Sequence, residues 1–433
     1  MQGASRCRGQ TALSTRRKGG ALGQRSLSPQ AHTIEDSRVE TQTMTPNPLI
    51  GVVFHWLGGL ASGSFYVPFR AVRKWSWETY WLVGGVFSWI IVPWVLGSTI
   101  STDLLGVLHQ TQWDTIGWVY FFGVLWGFGG LTFGLTMRYL GMSLGMAMVL
   151  GYCAAFGTLI PPIYHGQFFS HVLPTHSGQV IVLGIAICMA GIAFAGKAGM
   201  SKEKEMSAEQ KTAVIREFNL KKGVIVATFS GVMSACFSFG LDAGAPIKAL
   251  ALQHGTSTLW QGLPVLVVLL AGGFTTNFVW CLILNIKNHT GYQYFSSEIR
   301  NRHPERGEER MIENATDAPG EEMAVALPVR SAEPQRAPMW NNYFFSAVAG
   351  TTWYFQFFFY TMGETQMGAY KFSSWTLHMA SIIIFSSLWG IALHEWRGAS
   401  VRTKTWLAVS LMVLVSSTVV VGYGNYLGTL PAR

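Results

Sequence analysis

The feature that most constrains this chain is a series of ten apolar stretches, each about 20 residues long and nearly free of charge. They fall at 50–69, 79–100, 115–135, 142–162, 178–196, 222–241, 260–283, 342–362, 372–393 and 405–426. A helix needs roughly 20 apolar residues to cross a hydrocarbon layer about 30 Å thick. Within lipid the backbone must satisfy its own polar groups, which leaves helix as the state open to each stretch. The pattern predicts an all-α polytopic membrane protein with ten transmembrane helices. Composition agrees, since 12% of the 433 residues are charged against about 25% in a soluble domain. The third stretch is the weakest helix former, because Gly123, Gly127, Gly129, Gly130 and Gly134 lower its propensity.

The net charge of +9 would suggest nucleic acid in a soluble protein. Here the basic residues sit in short links between apolar runs, so no nucleic-acid partner is expected. Beyond residue 43, 21 of the 24 Lys and Arg fall on alternate links, among them Arg70, Arg73, Lys74, Arg138, Arg397, Arg402 and Lys404. The other side receives Lys248, Lys371 and Arg433. Basic residues accumulate in cytoplasmic links, so the elbow at 70–77 is expected inside and both termini outside. Trp75 and Trp77 would then anchor the headgroup zone, with Glu78 beside Lys74 or serving the start of the second helix.

Three segments stand apart. Residues 1–43 are basic and polar and lack the apolar core of a signal peptide. They read as a disordered leader, or as sequence preceding a start at Met44. Residues 197–221 form a charged cytoplasmic linker suited to an amphipathic surface helix. Residues 298–338 carry the charge and Pro/Gly content of a disordered insertion. Cys7, Cys153, Cys188, Cys236 and Cys281 show no close pairing, so neither disulfide, metal nor redox pair is indicated.

The halves overlay. GVVFHWLGGLASGSF (51–65) matches GVIVATFSGVMSACF (223–237) at constant offset, pairing Gly51 with Gly223, Gly59 with Gly231, Ser62 with Ser234 and Phe65 with Phe237. A second pairing sets Gly127 against Gly350 and Gly145 against Gly368. The matches join the first stretch to the sixth and the third to the eighth. Five is odd, so a duplicated unit enters the membrane upside down. The expectation is two inverted five-helix repeats, 44–196 and 222–426, around a midplane site.

FHWLGGLASGSFYVPFRAVRKWSWETYW, LTMRYLGMSLG, EFNLKKG, WYFQFFFYTMG and SWTLHM together resemble the L-rhamnose–proton symporter family of the drug/metabolite transporter superfamily, from about residue 49 to 426. The resemblance implies a ten-helix carrier of the bacterial inner membrane that brings L-rhamnose, with related deoxysugars as further candidates, into the cell with a proton. It implies no enzyme activity, no cofactor and no obligate protein partner; the partners are the sugar, the proton and membrane lipid. The leader and the 298–338 insertion depart from the compact family pattern. From the residues themselves, embedded histidines and acids favour a proton over Na⁺ only mildly. No Walker-type GxxxxGK[ST] is present, so uphill transport would draw on a gradient.

Ionisable and polar groups at membrane depth are costly and therefore candidates. His55 and His378 lie inside the first and ninth stretches. His55 suits the coupling proton, and the FHWLGG context carries part of the resemblance. His378 shares a helix face with Trp375, and an indole beside a polar group suits a sugar. Gln356 is a lone amide among aromatics, with Trp353 and Tyr360 on the same face. Trp353, Gln356, Tyr360, Trp375 and His378 form the expected substrate-binding set. Asp242 and Glu364 end the sixth and eighth stretches near the outer surface and join His55 as proton-coupling candidates. Arg138 and Tyr66, with Pro68 beside it, are candidates for gating at the inner end. Each of these has a plainer role open to it, as a helix contact, a solvated cap or a positive-inside charge.

Two rival functions remain. A small-molecule exporter of the same superfamily would want an embedded acid far from the helix ends, and none is found. A membrane-bound enzyme or sensor would need a histidine or acid cluster; His165, His171 and His176 are too dispersed for a metal site.

Overall fold

The computed structural model describes residues 45–205, 219–299 and 336–431. The leader, most of the 206–221 part of the linker and most of the insertion lie outside the described residues. Among the described residues, nine helices are long and apolar enough to cross a membrane. They are α1 (Pro48–Phe69), α2 (Trp77–Ile100), α3 (Trp113–Leu140), α4 (Leu144–Tyr164), α5 (His176–Glu205), α6 (within Leu220–Gln253), α7 (within Thr258–Asn288), α9 (within Gly368–Ala392) and α10 (Val401–Leu427). Between α7 and α9 stands α8 (Met339–Thr365), a 27-residue helix. It is less apolar because Asn341, Asn342, Gln356 and several Tyr and Trp interrupt its aliphatic content. The glycine-rich third stretch is a continuous 28-residue helix, since packing overrides propensity.

Local chemistry sets the helix ends. Asn47 caps α1 by accepting from the amides of Leu49 and Ile50, and Pro48 needs no amide partner at the first turn. The Asn47 amide in turn donates to Gln366 Oε1 (3.0 Å), fastening the start of α1 to the end of α8. Gly141, at φ +81°, ends α3 in a conformation that side chains resist, so α4 begins at once. Pro93 lies within α2, where the lost amide is absorbed by a π-helical turn over Phe87–Ile91.

Helix α1 packs on α8 and α9, while α6 packs on α3 and α4; α2 packs on α8, α7 on α3, and α5 with α10. Small residues make each approach. Gly59 faces Ser381 of α9, Gly231 faces Val149 and Tyr152 of α4, Gly127 faces Thr276 of α7, and Gly350 lies on the backbone of Gly84 in α2. No side chain fits between Gly350 and the Gly84 carbonyl. Gly350→Leu is expected to destabilise the protein by about 1–3 kcal/mol through overpacking, read as a lower Tm in detergent; an unchanged Tm would contradict this packing.

The elbow between α1 and α2 is fastened to neighbouring helices. Asn342 of α8 accepts from the Arg73 amide (3.0 Å) and donates to its carbonyl (2.8 Å). Trp75 is buried with its ring edge-on to Tyr343 at 4.9 Å, so it faces protein and not headgroups. Glu78 is held by partners other than Lys74: its Oε1 accepts from Asn288 Nδ2 (3.1 Å) and Thr290 Oγ1 (2.7 Å). Beside it Tyr294, whose phenol burial pushes up to about 12, accepts from Asn285. These bonds join the start of α2 to the end of α7.

Candidate functional site

Three helices converge on Tyr360. Its position in α8 places it on one face with Trp353, Gln356 and Glu364, at spacings of three and four residues. From Trp353 to Glu364 this face extends about 16 Å along the helix axis. His55 of α1 approaches one side of Tyr360, ring centroids 5.3 Å apart, and His378 of α9 another, at 5.2 Å. Trp375 completes the group at 5.7 Å from Tyr360 and 6.1 Å from His378. All four are buried, as is Gln356. Glycines admit the rings: Gly363 lies against the His55 imidazole, and Gly58 against that of His378.

The unpaired polar atoms are the chemical signature. Both ring nitrogens of His55, Nδ1 of His378, Nε2 of Gln356 and Nε1 of Trp353 have no hydrogen-bond partner among the described residues. Each such buried group ordinarily costs about 1–3 kcal/mol, and native proteins keep few of them. Trp375 differs, because its indole N–H donates to the Cys153 carbonyl of α4 at 3.0 Å. A neighbouring bond between Thr158 and Thr376 (2.7 Å) holds α9 on α4. Next to the cluster, Phe237 of α6 stacks on Phe357 of α8 at 4.4 Å and lies 6.0 Å from Trp375.

The remaining candidates lie outside this ring cluster, Glu364 one turn beyond Tyr360 on the same helix face. Asp242 pairs with His165 at 2.8 Å, and both side chains are more than 40% exposed, as in a solvated pair. Glu364 receives two bonds from Lys248 Nζ, at 2.7 and 2.9 Å, with both side chains about 15% exposed. Tyr66, 58% exposed, stacks on Trp81 near the elbow. Arg138 is half-buried in the last turn of α3, inside the helix and not in the turn after it.

Sequence reasoning missed Lys248 as a partner for Glu364, and Glu78 as a buried carboxylate. Lys248 had a signal: it is one of three basic residues on an otherwise base-poor side. Glu78 had none, because its partners come from the Asn288–Thr290 turn. Among the described residues no group of three His, Cys, Asp or Glu gathers that would hold a metal.

A family model described as L-rhamnose-proton symport protein (RhaT) matches residues 44–296 and 327–426. An L-rhamnose-proton symporter of Klebsiella pneumoniae (strain 342) is 34% identical over 376 residues, covering 87% of this chain and 97% of the relative. That of Cronobacter sakazakii is 33% identical over 376 residues, with the same coverage. That of Yersinia pestis (strain Pestoides F) is 33% identical over 379 residues, 87% of this chain and 98% of its own. With the match running through nearly every described helix, the chain belongs to the L-rhamnose-proton symport protein family.

Proposed function

We propose that this chain takes up L-rhamnose together with a proton across the bacterial inner membrane, and is a carrier and not an enzyme. The observation that carries the reading is the buried group of His55, Tyr360, Trp375 and His378, from three helices, with imidazole nitrogens left unpaired. It stands in a chain matched over 97% of the length of proteins named as L-rhamnose-proton symporters. The sugar's hydroxyls would use His378 and Gln356, and its C–H face the rings of Tyr360, Trp375 and Trp353. His55 would hold the proton. Two imidazoles flank one phenol, so a charge on one repels a charge on the other, which suits one proton per cycle. Asp242 and Glu364 stand near the outer surface where the proton would enter; Arg138 and Tyr66 would gate the inner end.

In this reading α8 is the tenth crossing, and the chain is two inverted five-helix units, 44–196 and 222–426, joined by the 197–221 linker. Reciprocal packing supports it: adding five to each helix number turns α1 on α8 and α9 into α6 on α3 and α4, and α2 on α8 into α7 on α3. The paired glycines Gly59 and Gly231 occupy corresponding contacts, as do Gly127 and Gly350. The Lys/Arg bias supports a cytoplasmic elbow and outer termini. Coupling then requires the doubly loaded carrier to cross more readily than the singly loaded one.

Labelled L-rhamnose uptake into vesicles, with and without an imposed pH gradient, tests the function. Accumulation is expected to follow the gradient, inside alkaline, and to collapse with a proton uncoupler. Accumulation that survives the uncoupler would refute proton symport.

A further inference from the structure

The buried carboxylate of Glu78 takes no part in the site described above. It stands in the first turn of α2, on the elbow side, and is 4% exposed. Its bonded partners, Asn288 and Thr290, are neutral side chains from the end of α7. Among the described residues no Lys, Arg or His pairs with it. The titratable side chains close enough to feel its charge are Tyr80 of α2, Cys281 of α7 and Tyr294 beyond it, none of them basic. The dipole at the start of α2 favours a negative charge there by about 0.3–1 kcal/mol. Burying a carboxylate without a counter-charge costs several kcal/mol, so the dipole alone does not hold it ionised.

A count of protons decides its state. The Cys281 carbonyl lies 2.8 Å from Asn285 Nδ2, where only a donor fits, so the amide is oriented with Oδ1 towards Thr290. Thr290 Oγ1 lies 3.0 Å from that Oδ1 and 2.7 Å from Glu78 Oε1. A hydroxyl has one proton, while an amide oxygen and a carboxylate oxygen only accept. With Glu78 ionised, Thr290 gives its proton to the carboxylate and Asn285 Oδ1 faces a bare lone pair. With Glu78 protonated, the acid donates to Thr290 and Thr290 donates to Asn285, so each short contact has its hydrogen. Thr290 and Asn285 are 4% and 7% exposed, which leaves water little access to supply a missing donor.

We infer that Glu78 is a proton-binding site at the inner end of α2, which holds the coupling proton last and releases it to the cytoplasm. On release the O–H bond of Glu78 breaks and the proton passes to cytoplasmic water. Thr290 then turns its own proton from Asn285 to the carboxylate left behind, and the proton brought in with the next sugar refills the acid. The inference rests on the transport reading and the cytoplasmic elbow given above, and it places release apart from His55.

Two measurements on the whole chain test it. In infrared difference spectra of the unmodified protein against Glu78→Gln, at neutral pH, the C=O stretch of a protonated carboxylic acid is expected. In Thr290→Val that band should move to higher frequency, since the acid loses its acceptor. In proteoliposomes, net uptake requires the carrier to shed its proton, whereas exchange of labelled for unlabelled L-rhamnose without a pH gradient does not. Glu78→Gln, whose amide can donate to Thr290 as the acid does, should slow initial net uptake about tenfold or more and leave exchange unchanged. Glu78→Asp, which keeps a carboxyl, should recover part of net uptake. A difference spectrum without the acid band, or a band that Thr290→Val leaves in place, would overturn the proton site. Unchanged net uptake in Glu78→Gln, or an equal fall in exchange and net uptake, would overturn the release role and leave Glu78 a tie between α2 and α7. If the unmodified protein exchanges no L-rhamnose, the transport reading fails and the release role with it, a result separate from the fate of the acid band.

Discussion

Glutamine in place of His55 is expected to bring L-rhamnose accumulation down to an inside-to-outside ratio near one, under a pH gradient that drives the unmodified protein well above it. A gradient of about one pH unit is worth about 1.4 kcal/mol per proton, or about tenfold accumulation at one proton per sugar. Glutamine keeps polarity and some volume but cannot take up a proton in the working range. His55 is fully buried, and neither ring nitrogen has a partner among the described residues. Its place is fixed by Gly363 on one side and Tyr360 on another. A neutral structural histidine would normally spend at least one nitrogen on a helix carbonyl. The contrast with His378→Gln makes the test specific, since loss there should fall on the half-saturating sugar concentration. Continued tenfold accumulation by His55→Gln would remove His55 from the proton path.

Nine of the ten expected stretches were legible as helices long and apolar enough to cross, because the bilayer sets one length and one polarity for each of them. The observed α1, Pro48–Phe69, and α10, Val401–Leu427, extend the expected 50–69 and 405–426 by a few residues at most. The face Trp353–Gln356–Tyr360 was legible for a similar reason, since helical spacing puts these residues together whatever surrounds them. What lay beyond reach involved partners distant in sequence. The Cys153 carbonyl that takes the Trp375 N–H has no side-chain signature. Trp75 read as a headgroup anchor because an interfacial and a buried tryptophan look alike beside a basic cluster; Tyr343, which buries it, comes 268 positions later.

Lys248→Met is expected to cut uptake more than tenfold, and the exchanged pair Lys248→Glu with Glu364→Lys to recover a large part of it. Lys248 lies on the short helix Ala245–Gln253 that continues α6, and Glu364 in the last turn of α8. The pair therefore ties the group of α3, α4 and α6 to the group of α1, α8 and α9, at the end opposite the elbow. Trp260 against Phe358 at 5.3 Å, and Gly262 against Thr361, close the same region. Losing one member of a fully buried pair costs about 3–5 kcal/mol, and less where water still reaches it. Because about 1.4 kcal/mol shifts two conformations tenfold relative to each other, even a reduced cost would displace the arrangement that this pair holds. An exchanged pair restores the attraction with its sign reversed, so recovery separates a contact between moving groups from a charge needed at one place. If Lys248→Met transports as the unmodified protein does, the two charges are only a partly solvated cap and the closure of this end depends on its rings alone.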